Sequence, residues 1–200
     1  MTMEENRYCS FLRWSLHFLP PDGIVPFGGN VFAEKLVAKC DCGHRLIRGD
    51  LMQCCKKNPD AVAEIRGGME TPQLTGCVQF FQERDCVLIV ARIFGMPRES
   101  KTGFFGFHIH QGADCSGDGF SGTEGHYNPR GRAHPEHAGD LPPLLRCRGE
   151  AYLAVRTDRF SVKEIIGRTV VIHSDPDDFR TQPAGNAGKK IACGIIRKRR

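Results

Sequence analysis

The sequence has no long apolar run. A membrane-spanning helix needs about 18 or more consecutive apolar residues, and no such run occurs in the chain of 200 residues. The apolar stretch at residues 11–19 is interrupted by Arg13 and His17, so it makes a poor core for an export signal. We therefore expect a cytoplasmic protein without a membrane span.

The body of the chain also has little net charge. The formal net charge is +5, yet residues 60–196 contain 16 basic and 17 acidic residues. Most of the excess lies in the final Arg197-Lys198-Arg199-Arg200. A short basic tail of this kind is typical of a solvated, frayed terminus. The charge therefore gives no argument for nucleic-acid binding.

The cysteines lack the spacing of a disulfide framework. Five of the ten lie in the first 55 residues, an odd and crowded set in a chain without an export signal. Cys40 and Cys42 are compatible with half of a thiolate site for zinc or cuprous copper. Their partners would be Cys54 and Cys55, which are adjacent rather than spaced as Cys-x-x-Cys. A metal site in this segment is the less favoured interpretation.

Residues 1–59 have no clean helical or strand period. We interpret them as an N-terminal extension of unassigned role, disordered in one interpretation. In another interpretation, translation starts at Met52 and residues 1–51 are a mis-annotated upstream reading. A peptide from residues 20–50 in the mass spectrum of the native protein would exclude that start.

From Ala61 onward, short segments of alternating or β-branched apolar residues are divided by turn residues. This pattern predicts an antiparallel sandwich or barrel of about eight strands. Ser161–Ile166 is expected to form one helical turn, with Ser161 as its cap and Glu164 three residues later. The segments that predict strands are 61–66, 73–82, 86–94, the stretch after Gly103, 149–157, 168–174 and 191–196.

Five of the eight histidines fall within residues 103–140. His108 and His110 lie two apart in an apolar segment that reads as a strand, so their side chains share one face. Asp140 follows three further histidines, and three imidazoles with one carboxylate suit tetrahedral zinc, whereas imidazole alone also suits copper. The stretch therefore predicts one or two metal sites, with His173, at the end of a later apolar run, as a further candidate.

Five separated motifs stand out in the second part of the chain: Gly106–His110, Gly125–Pro129, His137–Leu141, Gly167–His173 and Gly185–Gly194. Together they resemble the copper/zinc superoxide dismutase family, in its bacterial form. They occur in the family's order and cover about residues 60–196. The resemblance implies an all-β fold: an eight-stranded antiparallel Greek-key β-barrel or sandwich with long metal-binding and electrostatic loops.

The resemblance also implies two metals and their ligands. Copper would be held by His108, His110, His126 and His173. Zinc would be held by His126, His134, His137 and Asp140.

In the family's reaction, Cu(II) takes an electron from one superoxide anion and Cu(I) gives it to the next. His126 would bridge the two metals and carry a proton when copper is reduced, while zinc fixes the ring. Copper is therefore catalytic and zinc structural in this interpretation.

Three further residues take roles from the resemblance. Asp177 matches a carboxylate that links a copper histidine to a zinc histidine, here His108 and His134. Cys115 and Cys193 match the family's disulfide, which would close a loop of roughly 80 residues and contribute about 4 kcal/mol in the chain-entropy model.

The chain departs from the family pattern at three places. Lys190 stands where the family has an arginine that steers superoxide, and a lysine keeps the charge but not the planar fork. The spacing from His134 to His137 is only three positions, and the electrostatic loop at 174–188 is short. We expect Lys190 to steer superoxide with reduced efficiency.

The predicted function is thus superoxide dismutation. The resemblance makes a homodimer one candidate assembly, because many members of the family pair through exposed barrel faces, and the sequence does not decide the oligomeric state. The alternative is a non-catalytic relative that binds or delivers copper, which only the Cys40 and Cys42 pair favours. A copper-only dismutase would lack zinc ligands, and a plain structural sandwich would leave the histidines unexplained.

Overall fold

Alternating apolar residues form the strands of a single sheet. In the first strand Ala61, Ala63 and Ile65 are buried, while Glu64 and Arg66 are exposed, because successive side chains point to opposite faces. The strands are β1 (Ala61–Gly67), β2 (Thr75–Gln82), β3 (Val87–Phe94), β4 (Phe104–His110), β5 (Asp140–Cys147), β6 (Glu150–Thr157), β7 (Thr169–His173) and β8 (Lys190–Lys198).

The molecule is described here by a computed structural model that covers residues 58–98, 100 and 102–199. The cysteine pair Cys40–Cys42, the alternative start at Met52 and nearly all of the predicted extension lie outside these residues. Within them, the model contains no helix of the length and apolar character that crossing a membrane requires.

The sheet closes on itself. All pairings are antiparallel, and the strand order around the barrel is β1-β2-β3-β6-β5-β4-β7-β8. Two connections cross an end of the barrel, because β3 pairs with β6 and β4 pairs with β7. The predicted eight-stranded antiparallel barrel is confirmed.

Strand β5 was not among the segments predicted as strands. It contains Pro142 and Pro143, and proline cannot donate to a sheet ladder. The two prolines fall where the pairing with β4 shifts register, between the Phe105↔Leu144 and Phe107↔Leu141 pairs. The ladder thus continues around the prolines, and it carries Asp140 opposite His108.

Strand β8 extends beyond the predicted end at residue 196. Arg197 pairs with Val62 and Lys198 pairs with Ala61, because β1 offers free ladder positions there. These two basic residues therefore belong to the barrel wall, contrary to the expectation of a frayed tail.

The barrel interior is filled by large apolar side chains from every strand. Phe80, Phe105, Phe107 and Ile89 are among the fully buried residues. Among the described residues the one α-helix is α1 (Val162–Ile165), and it has the predicted cap, since Glu164 accepts a hydrogen bond from the backbone N–H of Ser161. Because the core is filled, the histidines have to lie outside it, against one wall.

Candidate metal centre

Strand β4 brings the first two histidines to the site. His108 and His110 are both buried, and their two-residue spacing places them on one side of the strand. His173 ends the neighbouring strand β7, and His126 forms an isolated bridge with His110. Segments far apart in sequence therefore deliver four imidazoles to one place.

The first cluster contains four imidazole nitrogen atoms within 4.8 Å of one another, from His108, His110, His126 and His173. Nε2 of His110 lies 3.2 Å from Nε2 of His173. Nδ1 of His108 and Nε2 of His126 are buried without a hydrogen-bond partner.

Hydrogen bonds on the far side of the rings decide which nitrogen faces this cluster. Nδ1 of His110 lies 2.9 Å from the carbonyl oxygen of Glu124, and Nδ1 of His173 lies 3.4 Å from that of Gly188. A carbonyl only accepts, so each Nδ1 carries the proton and each Nε2 is left with a lone pair. Converging lone pairs fit a cation, and imidazole donors suit copper.

The second cluster is built around Asp140. Its Oδ1 lies 2.7 Å from Nδ1 of His126, and its Oδ2 lies 3.0 Å from Nδ1 of His134 and 3.2 Å from Nδ1 of His137. Nδ1 of His134 and Nδ1 of His137 are nevertheless not aligned for a hydrogen bond. Donor atoms that approach closely without aligning fit a shared tetrahedral zinc.

His126 belongs to both clusters. Its Nδ1 faces Asp140, and its Nε2 is buried and has no hydrogen-bond partner. The two nitrogens lie on opposite edges of the ring, so a single imidazole joins the clusters. This is the position that the sequence assigned to the bridging residue.

Asp177 connects the two clusters on the outside. Its Oδ2 accepts a hydrogen bond from Nε2 of His108, and its Oδ1 accepts one from Nε2 of His134, each at 2.8 Å. Both rings are thereby fixed with Nδ1 unprotonated toward the clusters. A carboxylate of this kind orients metal-binding histidines and raises their basicity.

Burial keeps the imidazoles of His110 and His173 neutral. It lowers the pKa of His110 to about 2, with His173 as the next contribution, and lowers that of His173 to about 3, with His108 next. Burial alone would raise the pKa of Asp177, but hydrogen bonds from His108, the Phe179 N–H and His134 hold it below its usual value. Neutral imidazole and ionised carboxylate are the forms that bind metals.

Lys190 lies at the edge of the first cluster. Its Nζ donates hydrogen bonds to Oγ1 of Thr123 at 2.8 Å and to the carbonyl of Glu124 at 2.9 Å. Burial lowers its pKa from the ordinary value. The same Glu124 carbonyl also accepts a hydrogen bond from His110, so the Lys190 ammonium and an imidazole of the first cluster share one acceptor.

The disulfide predicted by resemblance is present. Cys115 and Cys193 are bonded across 78 residues. Cys193 lies in β8, and Cys115 lies in the long loop that also carries Thr123 and Glu124. The bond therefore ties the loop that holds Lys190 to the barrel.

Sequence reasoning did not identify three residues that support the centre. The side-chain amide of Gln182 makes two hydrogen bonds with the backbone of His134, at 2.9 and 2.7 Å. Nη1 of Arg159 donates to the carbonyls of Pro135, His137 and Asp140, and Thr123 accepts from Lys190. Such contacts between distant segments leave no local sequence pattern.

Comparison with known proteins gives consistent matches. The family model described as copper/zinc superoxide dismutase matches residues 74–196. Superoxide dismutase (Cu-Zn) 2 of Aquifex aeolicus is 35% identical over 140 residues, which cover 62% of this chain and 80% of that protein. Superoxide dismutase (Cu-Zn) 3 of Arabidopsis thaliana is 34% identical over 162 residues, which cover 72% of this chain and 94% of that protein.

Proposed function

Because the chain belongs to the copper/zinc superoxide dismutase family, whose members are oxidoreductases that use copper and zinc, we propose a role in metal binding or in the reaction for each residue of its two clusters. The first cluster binds copper and the second binds zinc, with His126 shared between them. The observation that carries this assignment is the orientation of four imidazole rings, those of His108, His110, His134 and His173. The outer nitrogen of each ring faces a hydrogen-bond acceptor, so the lone pair of its inner nitrogen points into a cluster.

The proposed reaction converts two superoxide anions and two protons to dioxygen and hydrogen peroxide. Copper, when bound, supplies the one-electron chemistry by alternating between Cu(II) and Cu(I). The residues of the chain supply three further things: a fixed set of neutral imidazoles, a place for one proton, and a positive charge that attracts the substrate anion.

His126 gains and loses one proton at Nε2, and this atom would bind copper only while it is unprotonated. Its Nδ1 is engaged on the Asp140 side, so Nε2 is the one ring atom that is free to gain and lose a proton. Nε2 is buried without another acceptor. A proton at this atom therefore passes to reduced oxygen at the first cluster, and this supplies one of the two protons that peroxide needs.

Lys190 attracts superoxide to the first cluster. Its ammonium group is the cation that the hydrogen bonds to Thr123 and Glu124 fix beside His110. A fixed positive charge beside the cluster raises the local concentration of an anion and its association rate. The ammonium presents a point charge where an arginine would present a planar fork.

The test is superoxide dismutation by the full chain reconstituted with copper and zinc, beside the His173→Ala variant. We expect rapid turnover when both metals are bound. For His173→Ala we expect turnover to be lost, and we expect elemental analysis to find a lower copper content and an unchanged zinc content. Met69→Ala, which changes a side chain that is 93% exposed, serves as the control. Tight copper binding without turnover would instead favour the copper-binding or copper-delivery alternative. The homodimer and the cytoplasmic location stay predictions from the sequence.

A further inference from the structure

One arginine lies behind the loop that carries the second cluster. Arg159 follows strand β6, and its backbone is fixed on both sides, since its N–H donates to Oγ1 of Thr157 and the next residue, Phe160, is buried. The side chain extends toward residues 135–140. No motif of the sequence points to it, and none of the predicted roles includes it.

The guanidinium of Arg159 meets three backbone carbonyls at one nitrogen. Nη1 lies 3.1 Å from the carbonyl oxygen of Pro135, 3.1 Å from that of His137 and 3.0 Å from that of Asp140. Two of these carbonyls belong to residues of the second cluster. Hydrogen bonds from an ionised donor are about twice as strong as neutral ones, so this cation closes the loop from outside.

The arrangement gives His137 and Asp140 two fixed points each. Their side chains point to the second cluster, where Oδ2 of Asp140 lies 3.2 Å from Nδ1 of His137. Their carbonyls point the other way, to Arg159. Without that cation the three converging carbonyl oxygens would repel one another and lose the ionised donor that they share, and the carbonyl of His137 would keep only the N–H of Asp140. The loop would then open at the side opposite the second cluster.

We propose that Arg159 is a positioning residue for zinc, which holds the 135–140 loop in the shape that brings His137 and Asp140 to one ion. The proposal rests on the assignment of zinc to the second cluster. It is specific to that cluster, because none of the carbonyls that Arg159 contacts belongs to His108, His110 or His173. Arg159 accordingly acts first on zinc affinity and zinc geometry, and it reaches the first cluster only through Asp140 and the shared His126.

The experiment compares Arg159→Gln and Arg159→Lys with wild type in the full chain. Zinc affinity is measured by chelator competition, copper affinity is measured in the same way, and Co(II) is placed in the second cluster as a visible-absorption probe of ligand geometry. For Arg159→Gln we expect zinc affinity to fall about 10- to 100-fold, a changed Co(II) spectrum, and copper affinity that falls by a much smaller factor. Arg159→Lys keeps the charge at a single donor and is expected to recover part of the loss.

Arg156→Gln is the matched control. Arg156 lies three residues earlier on β6, and its guanidinium contacts Glu83 at 2.7 and 3.2 Å rather than the loop. Its zinc affinity and Co(II) spectrum should equal those of wild type.

Zinc affinity of Arg159→Gln within twofold of wild type would overturn the proposal. The proposal would also be overturned if zinc affinity and copper affinity fell by the same factor and the metal-free protein lost thermal stability, because that result would indicate a general folding defect. Dismutation by the wild-type enzyme would be unaffected by either result, so the proposed function is tested separately.

Discussion

Lys190 donates a hydrogen bond to Thr123, with Nζ 2.8 Å from Oγ1. Thr123 is fully buried, and its hydroxyl donates in turn to the carbonyl of Phe120. The Glu124 carbonyl takes a second N–H of the ammonium. An ammonium has three N–H groups, so one remains for the substrate anion. Thr123 therefore fixes the direction of the charge as well as its position.

We expect Thr123→Val to slow superoxide capture. Valine has nearly the same shape but no acceptor, so the Lys190 ammonium keeps only the Glu124 carbonyl and becomes mobile. The expected loss in kcat/KM is about threefold at low ionic strength, against about tenfold for Lys190→Gln, because the second variant removes the charge itself. Measurement of kcat/KM over a range of salt concentrations checks this, with Thr75→Val on the exposed face of β2 as control. Equal rates for Thr123→Val and wild type would show that the hydrogen bond does not orient the ammonium.

Asp177→Asn is expected to weaken zinc binding about 10- to 100-fold. The carboxylate accepts from Nε2 of both His108 and His134, whereas an amide has one acceptor oxygen and turns a donor toward the second ring. One imidazole then loses its fixed tautomer. Chelator competition measures the change. The neighbouring Asp178→Asn is the control, because that carboxylate accepts from the backbone N–H groups of Arg180 and Thr181 instead. The prediction fails if the two variants bind zinc equally well.

Local patterns predicted most of the barrel and one shared face for His108 and His110, whereas the division of the ligands between two clusters came from the resemblance to the family. Alternation locates a strand, and the spacing of His108 and His110 places both on one face of it. Strand β5 was not predicted, because its pairing with β4 accommodates Pro142 and Pro143 only at a register shift, and that shift depends on the partner strand. Arg159 was not identified for a related reason. Its partners are backbone carbonyls, which every residue has, so no sequence motif marks them.

Gly185 is expected to tolerate no side chain. Its φ is +65°, and a Cβ there would lie 2.1 Å from Oδ1 of Asp177 and 2.6 Å from Nε2 of His134. Gly131→Ala is the matched control, with φ +60° and nothing within 4 Å of the added Cβ. The left-handed backbone costs alanine about 1–2 kcal/mol at either position. Only Gly185→Ala should also lower zinc affinity, because it displaces the Asp177–His134 hydrogen bond. Equal zinc affinities in chelator competition would contradict this.

Removal of the disulfide is expected to affect stability and activity together. The bond between Cys115 and Cys193 spans 78 residues, so its loss lowers the free energy of unfolding by about 4 kcal/mol in the chain-entropy model. Because Cys115 shares its loop with Thr123 and Glu124, the partners of Lys190 also lose their anchor to β8. We therefore expect the double variant Cys115→Ala/Cys193→Ala to show a lower kcat/KM even at temperatures where it remains folded.

Denaturant unfolding of the metal-free protein measures the first effect, and the salt dependence of kcat/KM measures the second. Cys147→Ala, which changes an exposed free thiol, is the control for cysteine loss alone. A stability loss with a wild-type salt dependence would mean that the barrel holds Thr123 and Glu124 without the disulfide. Lys190 would then owe its position to β8 and the loop backbone, and the bond between Cys115 and Cys193 would serve stability alone.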